Sequence, residues 1–529
     1  MPTLDRSLSA EQSVKFQQLQ GQLRSRAASQ EPVCQETLCD GPGDNILVIP
    51  SLSVDLRELV KIHGFLHYEE RLLFSLARLQ NPKNRIIYVT SEPIHPSVID
   101  YYLQLLPGIP VADARDRLLL FSTYDSSLKP LSQKILERPR LMARIHQALR
   151  SQQSYMICYN STDLERQISV ALEVPLYGLD PDLLHWGTKS GSRRIFAECG
   201  VPFPDGSELV WNGQDLAKVT AALWERQPSL KRIVIKLNEG FSGEGNALLN
   251  LTSLQSVAPG NGSHDVRVAR IQEQFEWLRF QAPDETWASF SSRIPELGAI
   301  AEAFIEGKET RSPSVQGRIA PSGEVEILST HDQILGGPDG QIYLGCRFPA
   351  DAAYRLQLQT LGMQIGQNLA SKGALERFSV DFLAVCPSSQ LDPSAWDLQA
   401  IEINLRQGGT THPFMTLKFM TNGDYDLASG LFYSQQGCPK YYIATDNLQK
   451  DQYRGLLPND LMEIITHHHL HLDTQTETGT LFHLLGCLSE FGKLGLTCIG
   501  NSPQQAEEIY NTIIQVLDQE TQSAAIPKN

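Results

Sequence analysis

The sequence predicts a protein of several domains, in which an α/β unit is followed by α+β units. At 529 residues the chain is too long for a single hydrophobic core, and domains of ordinary size would number about three. Early in the chain, apolar runs of strand length alternate with segments of helical periodicity. Later, strand-like runs follow one another across short turns and glycine-rich loops, which is typical of antiparallel sheet.

The segment 44–180 is predicted to be the α/β unit. It contains four short apolar runs with the length and β-branching of buried strands, namely NILVIP, RIIYVT, RLLLFS and YMICYN. Helix-period segments such as YEERLLFSLARLQ and PSVIDYYLQLL separate them, so we expect an open and mainly parallel sheet. The preceding residues 1–43 are predicted to be an extension with one helix of modest stability and a linker.

Antiparallel signals dominate residues 181–425, which we expect to form an α+β domain. The runs IVIKL and ALLNL predict a hairpin, and AEAFIEG, SVQGRI, EVEILSTHD, RFSVDFLAV and AIEINL predict further strands. Residues 426–529 are expected to form a separate small α+β domain. Its last helix should have Ser502 as N-cap, Pro503 at the first helical position and Gln505 at the third.

Charge and cysteine usage narrow the class of protein. A net charge of −15 argues against broad contact with nucleic acid or anionic lipid, although nucleotides need only a local group of cations. Nine cysteines without a C-x-x-C pair, among them Cys158, Cys386 and Cys498 in apolar runs, predict reduced and buried thiols. With no signal peptide or spanning segment apparent, we expect a cytoplasmic protein with no membrane or nucleic-acid partner.

The glycine-rich loop after IVIKL is the first chemical signal. Gly240, Gly243 and Gly245 leave room for backbone to close over a phosphate chain, and Lys236 could place an ammonium against it. The loop leads into a strand and lacks Lys-Ser/Thr, so it is neither a Walker loop nor a Rossmann turn. A lid over phosphate and a surface hairpin both fit the pattern.

Acidic residues on two predicted strands give the second signal. Asp381 lies within an apolar run, where an unpaired carboxylate is costly. Glu402 and Asn404 share one strand face because strand side chains alternate with period two. If the two strands pair, three oxygen ligands converge in a set that suits Mg²⁺. A salt-bridged aspartate and a solvated edge glutamate are the alternative.

Arg406 and the following helix start give the third signal. We expect Thr411 or His412 to cap a helix with Pro413 at its first position, so that free amides face the region beyond Asn404. An arginine beside such a helix would stabilise a phosphoryl group or a carboxylate, whereas an ordinary loop-to-helix entry is equally compatible.

Two polar clusters allow more than one interpretation. If THHHLHLD is a strand, His467, His469 and His471 share a face and suit either a transition metal or a polar edge. The segment HDQILGGPDGQ contains polar residues that suit either the acceptor substrate or an ordinary turn. These residues are His331, Asp332 and Gln333.

The order of these features resembles the ATP-grasp superfamily, which includes D-alanine–D-alanine ligase, glutathione synthetase and biotin carboxylase. Lys189 precedes a helix that ends in AECGVPFP, Lys236 precedes a glycine lid, and E-x-F-I-x-G, an aspartate and E-x-N follow. The strings GTKSGSRRIFAECGVPFP, STHDQILGGPDGQIYLGCRFPA, EINLRQGGTTHPF and LFHLLGCLSEFGKLGLTCIGNSP are most similar to the peptide ligases related to the pheganomycin peptide ligase.

The resemblance implies an architecture and a nucleotide site. A Rossmann-like pre-ATP-grasp domain (44–180) would precede the ATP-grasp fold (181–425), with its lid half at about 190–300 and its hinge and metal half at about 300–425. Lys189 and Lys236 would contact the ATP phosphates. The lid over the triphosphate would include Gly240, Ser242, Gly243, Gly245 and Asn246.

The remaining roles implied by the resemblance concern adenosine, metal and the transferred phosphate. Glu302 would bind the adenine amino group, the backbone of Ala303 and Ile305 would read the ring edge, and Glu309 would hold the ribose hydroxyls. Asp381, Glu402 and Asn404 would bind Mg²⁺, and Arg406 would face the transferred phosphate or the acyl phosphate. Several of these ligases have an arginine where Ser379 stands here. The candidates to replace it are Arg311, Arg318 and Arg377.

The resemblance implies an ATP-dependent carboxylate–amine ligase that uses ATP and Mg²⁺. A carboxylate would attack the γ-phosphate, and an amine would capture the resulting acyl phosphate. Amino acids or short peptides are the expected substrates. A homodimer is compatible with the resemblance because dimers are common in the superfamily, but the sequence does not fix the oligomeric state. A kinase that needs no amine and a non-catalytic ATP sensor or scaffold are the two alternatives.

Overall fold

The computed structural model describes residues 9–29, 43–149, 153–240, 245–282, 285–336, 342–386 and 396–523. Lid residues Ser242 and Gly243 lie outside these ranges. No helix in the described ranges has both the length and the apolar character needed to cross a bilayer. Cys158 and Cys498 are buried free thiols as predicted, whereas Cys386 is partly exposed because it lies at the end of its strand.

The first unit is a four-stranded parallel sheet, in which the four predicted apolar runs are the strands. The strands are β1 Asn45–Ile49, β2 Arg85–Thr90, β3 Leu118–Ser122 and β4 Ser154–Cys158, in the order β3-β2-β1-β4. The helices are α1 Ala10–Ser29, α2 Leu56–Leu59, α3 Pro96–Gln104, α4 Val111–Asp116, α5 Leu131–Leu136, α6 Pro139–Ala148, α7 Asp163–Leu172 and a 3₁₀ helix Phe65–Gln80. Both faces of β1 are buried: Ile46 and Val48 enter one core, Leu47 and Ile49 another.

The lid half is a second, antiparallel sheet of four strands in the order β7-β6-β5-β8. Its strands are β5 Arg232–Leu237, β6 Asn246–Asn250, β7 Arg279–Phe280 and β8 Ala299–Ala303. The helices around this sheet are α9 Gly213–Arg226, α10 His264–Gln274 and α11 Trp287–Leu297, with 3₁₀ helices Thr252–Val257 and Phe275–Trp277. The preceding α8 Lys189–Cys199 and the 3₁₀ helix Pro181–Gly187 pack against the third sheet. β5 and β6 are the predicted hairpin, and Ile233 and Ile235 pack against Trp224 of α9 in its core.

The third sheet has eleven strands. Its main path is β14-β13-β10-β11-β12-β17-β16-β15, with β9 on β13, β19 on β17 and β18 on β19. The strands are β9 Glu309–Arg311, β10 Pro313–Ile319, β11 Val325–Gly336, β12 Ile342–Phe348, β13 Glu376–Cys386, β14 Asp397–Asn404, β15 Asp424–Asp426, β16 Leu431–Tyr433, β17 Pro439–Gln449, β18 Gly479–His483 and β19 Lys493–Gly500. The helices are α12 Arg355–Ser371, α13 Thr411–Thr421, α14 Pro458–His467, α15 Leu488–Phe491 and α16 Pro503–Ser523, with 3₁₀ helices Asp451–Tyr453 and Leu485–Cys487.

The C-terminal strands continue the central sheet, because β12 pairs with β17 and β17 pairs with β19. The boundary predicted between residues 425 and 426 therefore falls within one continuous sheet. The first unit and the C-terminal strands also share a hydrophobic core, in which Leu72 and Tyr88 belong with Leu461 and Leu494. The first unit and the C-terminal strands are thus packed against each other.

Three local predictions can be compared with the structure. α16 begins at Pro503 as predicted, and the amide of Gln505 donates to Ser502 Oγ at 3.1 Å. The predicted cap of α13 was wrong. The helix begins at Thr411 and its N-cap is Thr410, so Pro413 is the third residue of the helix. THHHLHLD is not a strand, because α14 extends to His467 and a turn follows.

Candidate active site

A cavity of about 710 Å³ lies between the lid sheet and the eleven-stranded sheet, and the first unit closes part of it. Most of the residues predicted for the nucleotide and metal site line its wall. They are Lys236, Gly240, Asn246, Glu302, Ala303, Ile305, Asp381, Glu402, Asn404 and Arg406. Lys189, Gly245 and Glu309 are not part of this lining. Glu309 pairs with Arg311 on the surface, whereas Glu306 lines the cavity.

The three predicted metal ligands come together on β13 and β14. Asp381 pairs in register with Glu402, and Asn404 Nδ2 donates to Asp381 Oδ2 at 3.1 Å. Burial, and then the charge of Glu402, raise the pKa of Asp381 to about 6. Two carboxylates and an amide oxygen on one buried wall fit a hard divalent cation such as Mg²⁺. Asp381, Glu402 and Asn404 are therefore the residues that would hold it.

Gln333 on β11 supports this group. Its Nε2 donates to Asp381 Oδ1 at 2.7 Å, and its side chain lines the cavity. The sequence placed it in a polar segment with two open interpretations. Its neighbours do not reach the cavity: His331 is buried with Nε2 2.6 Å from the Tyr442 hydroxyl, and Asp332 accepts a hydrogen bond from Tyr354.

Lys189 is fixed at the start of α8 and forms an ion pair with Glu402. Its amide donates to the carbonyl of Asn238 at 2.9 Å, which ties the helix start to the loop after β5. The ammonium is 9% exposed and compensates one of the two facing carboxylates. A divalent cation bound at Glu402 would replace this lysine as its partner.

Lys236 is held by Glu302 in the lid sheet. Glu302 lies opposite Val234 in the β5–β8 pairing, so its side chain shares a sheet face with that of Lys236. The two form a short, buried ion pair, and Arg193 Nη1 donates to the other oxygen of Glu302 at 2.9 Å. Lys236 therefore has a protein counter-charge that a phosphate group would have to replace.

The predicted adenine side of the cavity is the segment after β8. The amide of Ala303 donates to the carbonyl of Asp205 at 2.8 Å, so this N–H is already engaged. Arg232 forms an ion pair with Glu306 and stacks over the Phe304 ring at 3.8 Å. The roles of Glu302, Ile305 and Glu309 toward adenosine stay predictions.

Arg406 Nη2 donates to Asn404 Oδ1 at 2.9 Å, which places the guanidinium beside the candidate metal ligands. The following Gly408, Gly409 and Thr410 also line the cavity. A Cβ on Gly409 would lie 2.7 Å from the Tyr343 ring, which explains the glycine at this close approach. Ser379, which stands where related ligases have an arginine, lines the cavity too. The three arginines proposed to replace that arginine, Arg311, Arg318 and Arg377, do not line it.

The wall opposite this group was missed by sequence reasoning. It is formed by the first unit and by the C-terminal strands. Its polar residues are Glu58, Lys61, His63, Tyr68, Arg71, Tyr159, Asn447, Gln449 and Lys493. These residues lie far apart in the chain and carry no short motif, so only the fold identifies them.

Arg71 leads to a buried network behind this wall. Its guanidinium pairs with Asp446, whose Oδ1 lies 3.0 Å from His412 Nε2 and 2.7 Å from His483 Nε2. Burial alone would raise the pKa of Asp446, but Arg71 and the imidazoles hold it well below its usual range. Among the described residues, this cluster has ligand-like spacing, whereas the predicted set His467, His469 and His471 does not.

The chain is similar to known proteins over most of its length. Residues 182–267 and 266–428 match a family model described as IQCH-like, ATP-grasp, and residues 460–512 match one described as PGM1 C-terminal domain. The chain is 28% identical over 479 residues to the L-propargylglycine--L-glutamate ligase of Streptantibioticus cattleyicolor, covering 88% of this chain and 92% of the relative.

Two further similarities are more distant. The chain is 24% identical over 423 residues to IQ motif-containing protein H of Danio rerio, which covers 72% of this chain but only 39% of that protein. A solved biotin carboxylase complex from Campylobacter jejuni superimposes with a TM-score of 0.52 at 13% identity, covering 88% of this chain and 89% of that one. The overall fold is therefore similar to that of this biotin carboxylase.

Proposed function

We propose that this chain, whose residues 182–428 belong to the ATP-grasp family, is an ATP-dependent ligase that joins a carboxylate to an amine. The observation that carries the proposal is the meeting of Asp381, Glu402 and Lys236 on the wall of one cavity. Paired carboxylates fit a divalent cation and a buried lysine fits phosphate, so together they suit a magnesium nucleotide. The similarity to a curated ligase over 88% of the chain supports ligation as the reaction.

The reaction would proceed in two balanced steps. A substrate carboxylate oxygen attacks the γ-phosphorus of ATP, ADP leaves, and Lys236 and Arg406 neutralise charge on the transferred group. Bound Mg²⁺ would supply further charge neutralisation at the phosphates. The amine nitrogen then attacks the carbonyl carbon of the acyl phosphate, and phosphate leaves with one oxygen of the original carboxylate. The acyl phosphate has to be kept from water until the amine attacks, because hydrolysis would otherwise compete with ligation.

Amino acids or short peptides are the proposed substrates. The cavity of about 710 Å³ has room for a nucleotide and a small second molecule. The relative is named for joining L-propargylglycine to L-glutamate, so L-glutamate is the first compound to test. A homodimer stays a prediction.

The test is ADP release from Mg·ATP with pools of L-amino acids, each with and without L-glutamate. Release should require both a carboxylate and an amine, and mass spectrometry should find the amide. An ¹⁸O label in the carboxylate should appear in the released phosphate. Glu402→Gln should lower the rate at least about 100-fold because it removes a metal ligand. Glu507→Gln, in an exposed pair with Arg347, is the matched control and should leave the rate unchanged.

Two results would contradict the ligase. A phosphorylated product formed without any amine would identify a kinase. Tight ATP binding with no turnover in any pool would favour a sensor or scaffold. If the ¹⁸O label were recovered in AMP in place of phosphate, the acyl phosphate step would be excluded. The proposed ligase function would still stand.

A further inference from the structure

Lys493 is a buried cation of the cavity wall that has no carboxylate partner in the described part of the chain. It is the first residue of β19, it is 5% exposed, and it lines the cavity. Its Nζ donates to the Tyr68 hydroxyl at 2.7 Å and lies 5.0 Å from the centre of that ring. Among the residues that the structure describes, none forms an ion pair with it. An ammonium in this position is costly to desolvate unless an anion compensates it.

Four other cations that line the cavity differ in this respect, because each has a protein carboxylate. The pairs are Lys61 with Glu58, Arg71 with Asp446, Arg232 with Glu306, and Lys236 with Glu302. Arg406 lies apart from Lys493 and donates to Asn404 Oδ1 beside the candidate metal ligands. Glu70 is buried in the same region as Lys493, but its carboxylate accepts the amide of Gly486 at 3.1 and 3.2 Å. Of the described lysines and arginines on the wall formed by the first unit and the C-terminal strands, Lys493 is thus the one whose charge is left for a ligand.

The neighbouring amide side chains already donate to backbone. Asn447 Nδ2 donates to the carbonyl of Tyr343 at 3.3 Å, and Gln449 Nε2 donates to the carbonyl of Phe491 at 3.1 Å. These contacts leave Lys493 as the charged donor of this part of the wall. A carboxylate there would accept a charge-assisted hydrogen bond from Nζ and would replace the water lost on burial.

We infer that Lys493 binds a carboxylate that takes no part in the reaction, namely the free carboxyl group of the amine substrate. The amine substrate is then an amino acid. This inference rests on the proposed ligase function. An amino acid that offers its amine to an acyl phosphate keeps its own carboxylate, which needs a counter-charge where the cavity wall removes it from water. Lys236 and Arg406 lie with the candidate nucleotide and metal residues, whereas Lys493 lies where the first unit meets the C-terminal strands. The site would therefore select acids over their amides.

The experiment measures binding of each of the twenty L-amino acids and of its α-amide, by calorimetry in saturating Mg·ADP. For the acids that bind, the wild type should prefer the acid over the amide by at least about 30-fold, because a desolvated charge pair is lost. Lys493→Met should weaken binding of the acid by a similar factor and remove the preference for the acid over the amide. The affinity for Mg·ADP should stay unchanged. Lys450→Met, which removes a lysine paired with Asp518 outside the cavity, is the matched control.

Three outcomes would overturn the inference. They are equal binding of acid and amide to the wild type, unchanged acid affinity in Lys493→Met, and no binding of any amino acid. The acid–amide comparison needs no variant, so it stands even if Lys493→Met fails to fold. ADP release supported equally by amides would overturn the inference while the ligase stands. Acid-selective, Lys493-dependent binding without any turnover would contradict the ligase alone.

Discussion

Replacing Asp446 by asparagine should destabilise the protein strongly. Asp446 is 2% exposed on β17, and its carboxylate holds Arg71 of the first unit on one oxygen. The other oxygen lies within hydrogen-bond distance of His412 at the start of α13 and of His483 at the end of β18. One carboxylate therefore joins the first unit, the ATP-grasp region and the C-terminal strands.

The magnitude follows from the burial of Arg71. Its side chain is 8% exposed, and its other contacts are the Tyr159 hydroxyl at 3.2 Å and the Tyr68 ring at 4.0 Å, neither of which carries a charge. Asparagine keeps the shape but removes the counter-charge, and breaking a buried ion pair from one side costs about 3–5 kcal/mol. The double variant Arg71→Met/Asp446→Asn should recover part of this loss, because no cation is then left unpaired.

The assay is urea unfolding followed by both tryptophan fluorescence and circular dichroism, since a chain of this size need not unfold in one step. The asparagine variant should unfold at lower urea by both probes, and the probes should separate if the units uncouple. Glu507→Gln removes an exposed pair and should change stability by less than about 1 kcal/mol. An asparagine variant as stable as this control, or a double variant less stable than Asp446→Asn, would refute the reasoning.

Two more predictions follow from buried polar contacts. Gln333→Leu should weaken Mg²⁺ binding at least about tenfold, because Asp381 loses its 2.7 Å donor. Magnesium dependence of nucleotide binding checks this, and an unchanged dependence would contradict it. Burial lowers the pKa of His331 to about 3, so the unfolded chain takes up a proton below pH 6.5 that the folded chain cannot accept. Stability should fall from pH 6.5 toward 3, by about 2 kcal/mol at pH 5, and His331→Gln should flatten this dependence. If the stability of His331→Gln depended on pH as steeply as that of the wild type, the prediction would be contradicted.

The parts of the fold that depend on local pattern were predictable. The strands of the first sheet and the β5–β6 hairpin follow from apolar runs and turn residues, and period two was enough to place Glu402 and Asn404 on one face. The start of α13 was misplaced because a proline is tolerated anywhere in the first turn, so Pro413 did not fix the boundary.

The parts that depend on distant pairing were not predictable. The β12–β17 contact joins segments about a hundred residues apart, and no local signal distinguishes it from a domain boundary. Lys493 and Tyr68 are separated by 425 positions, and both look like ordinary residues in sequence. Their roles become visible only when burial and the missing counter-charge are seen together.

Within the site, residues that the sequence assigned to different ligands form ion pairs with each other. Lys189, expected at phosphate, pairs with Glu402, expected at the metal, and Lys236 pairs with Glu302. When Lys236 turns to phosphate, Glu302 keeps Arg193 as its partner, whereas Lys189 cannot turn to phosphate without leaving Glu402 in need of another cation. A divalent cation at Glu402 provides that charge and frees Lys189 for the nucleotide. Metal and nucleotide binding should therefore be coupled, and the coupling arises from ion pairs that no single motif reveals.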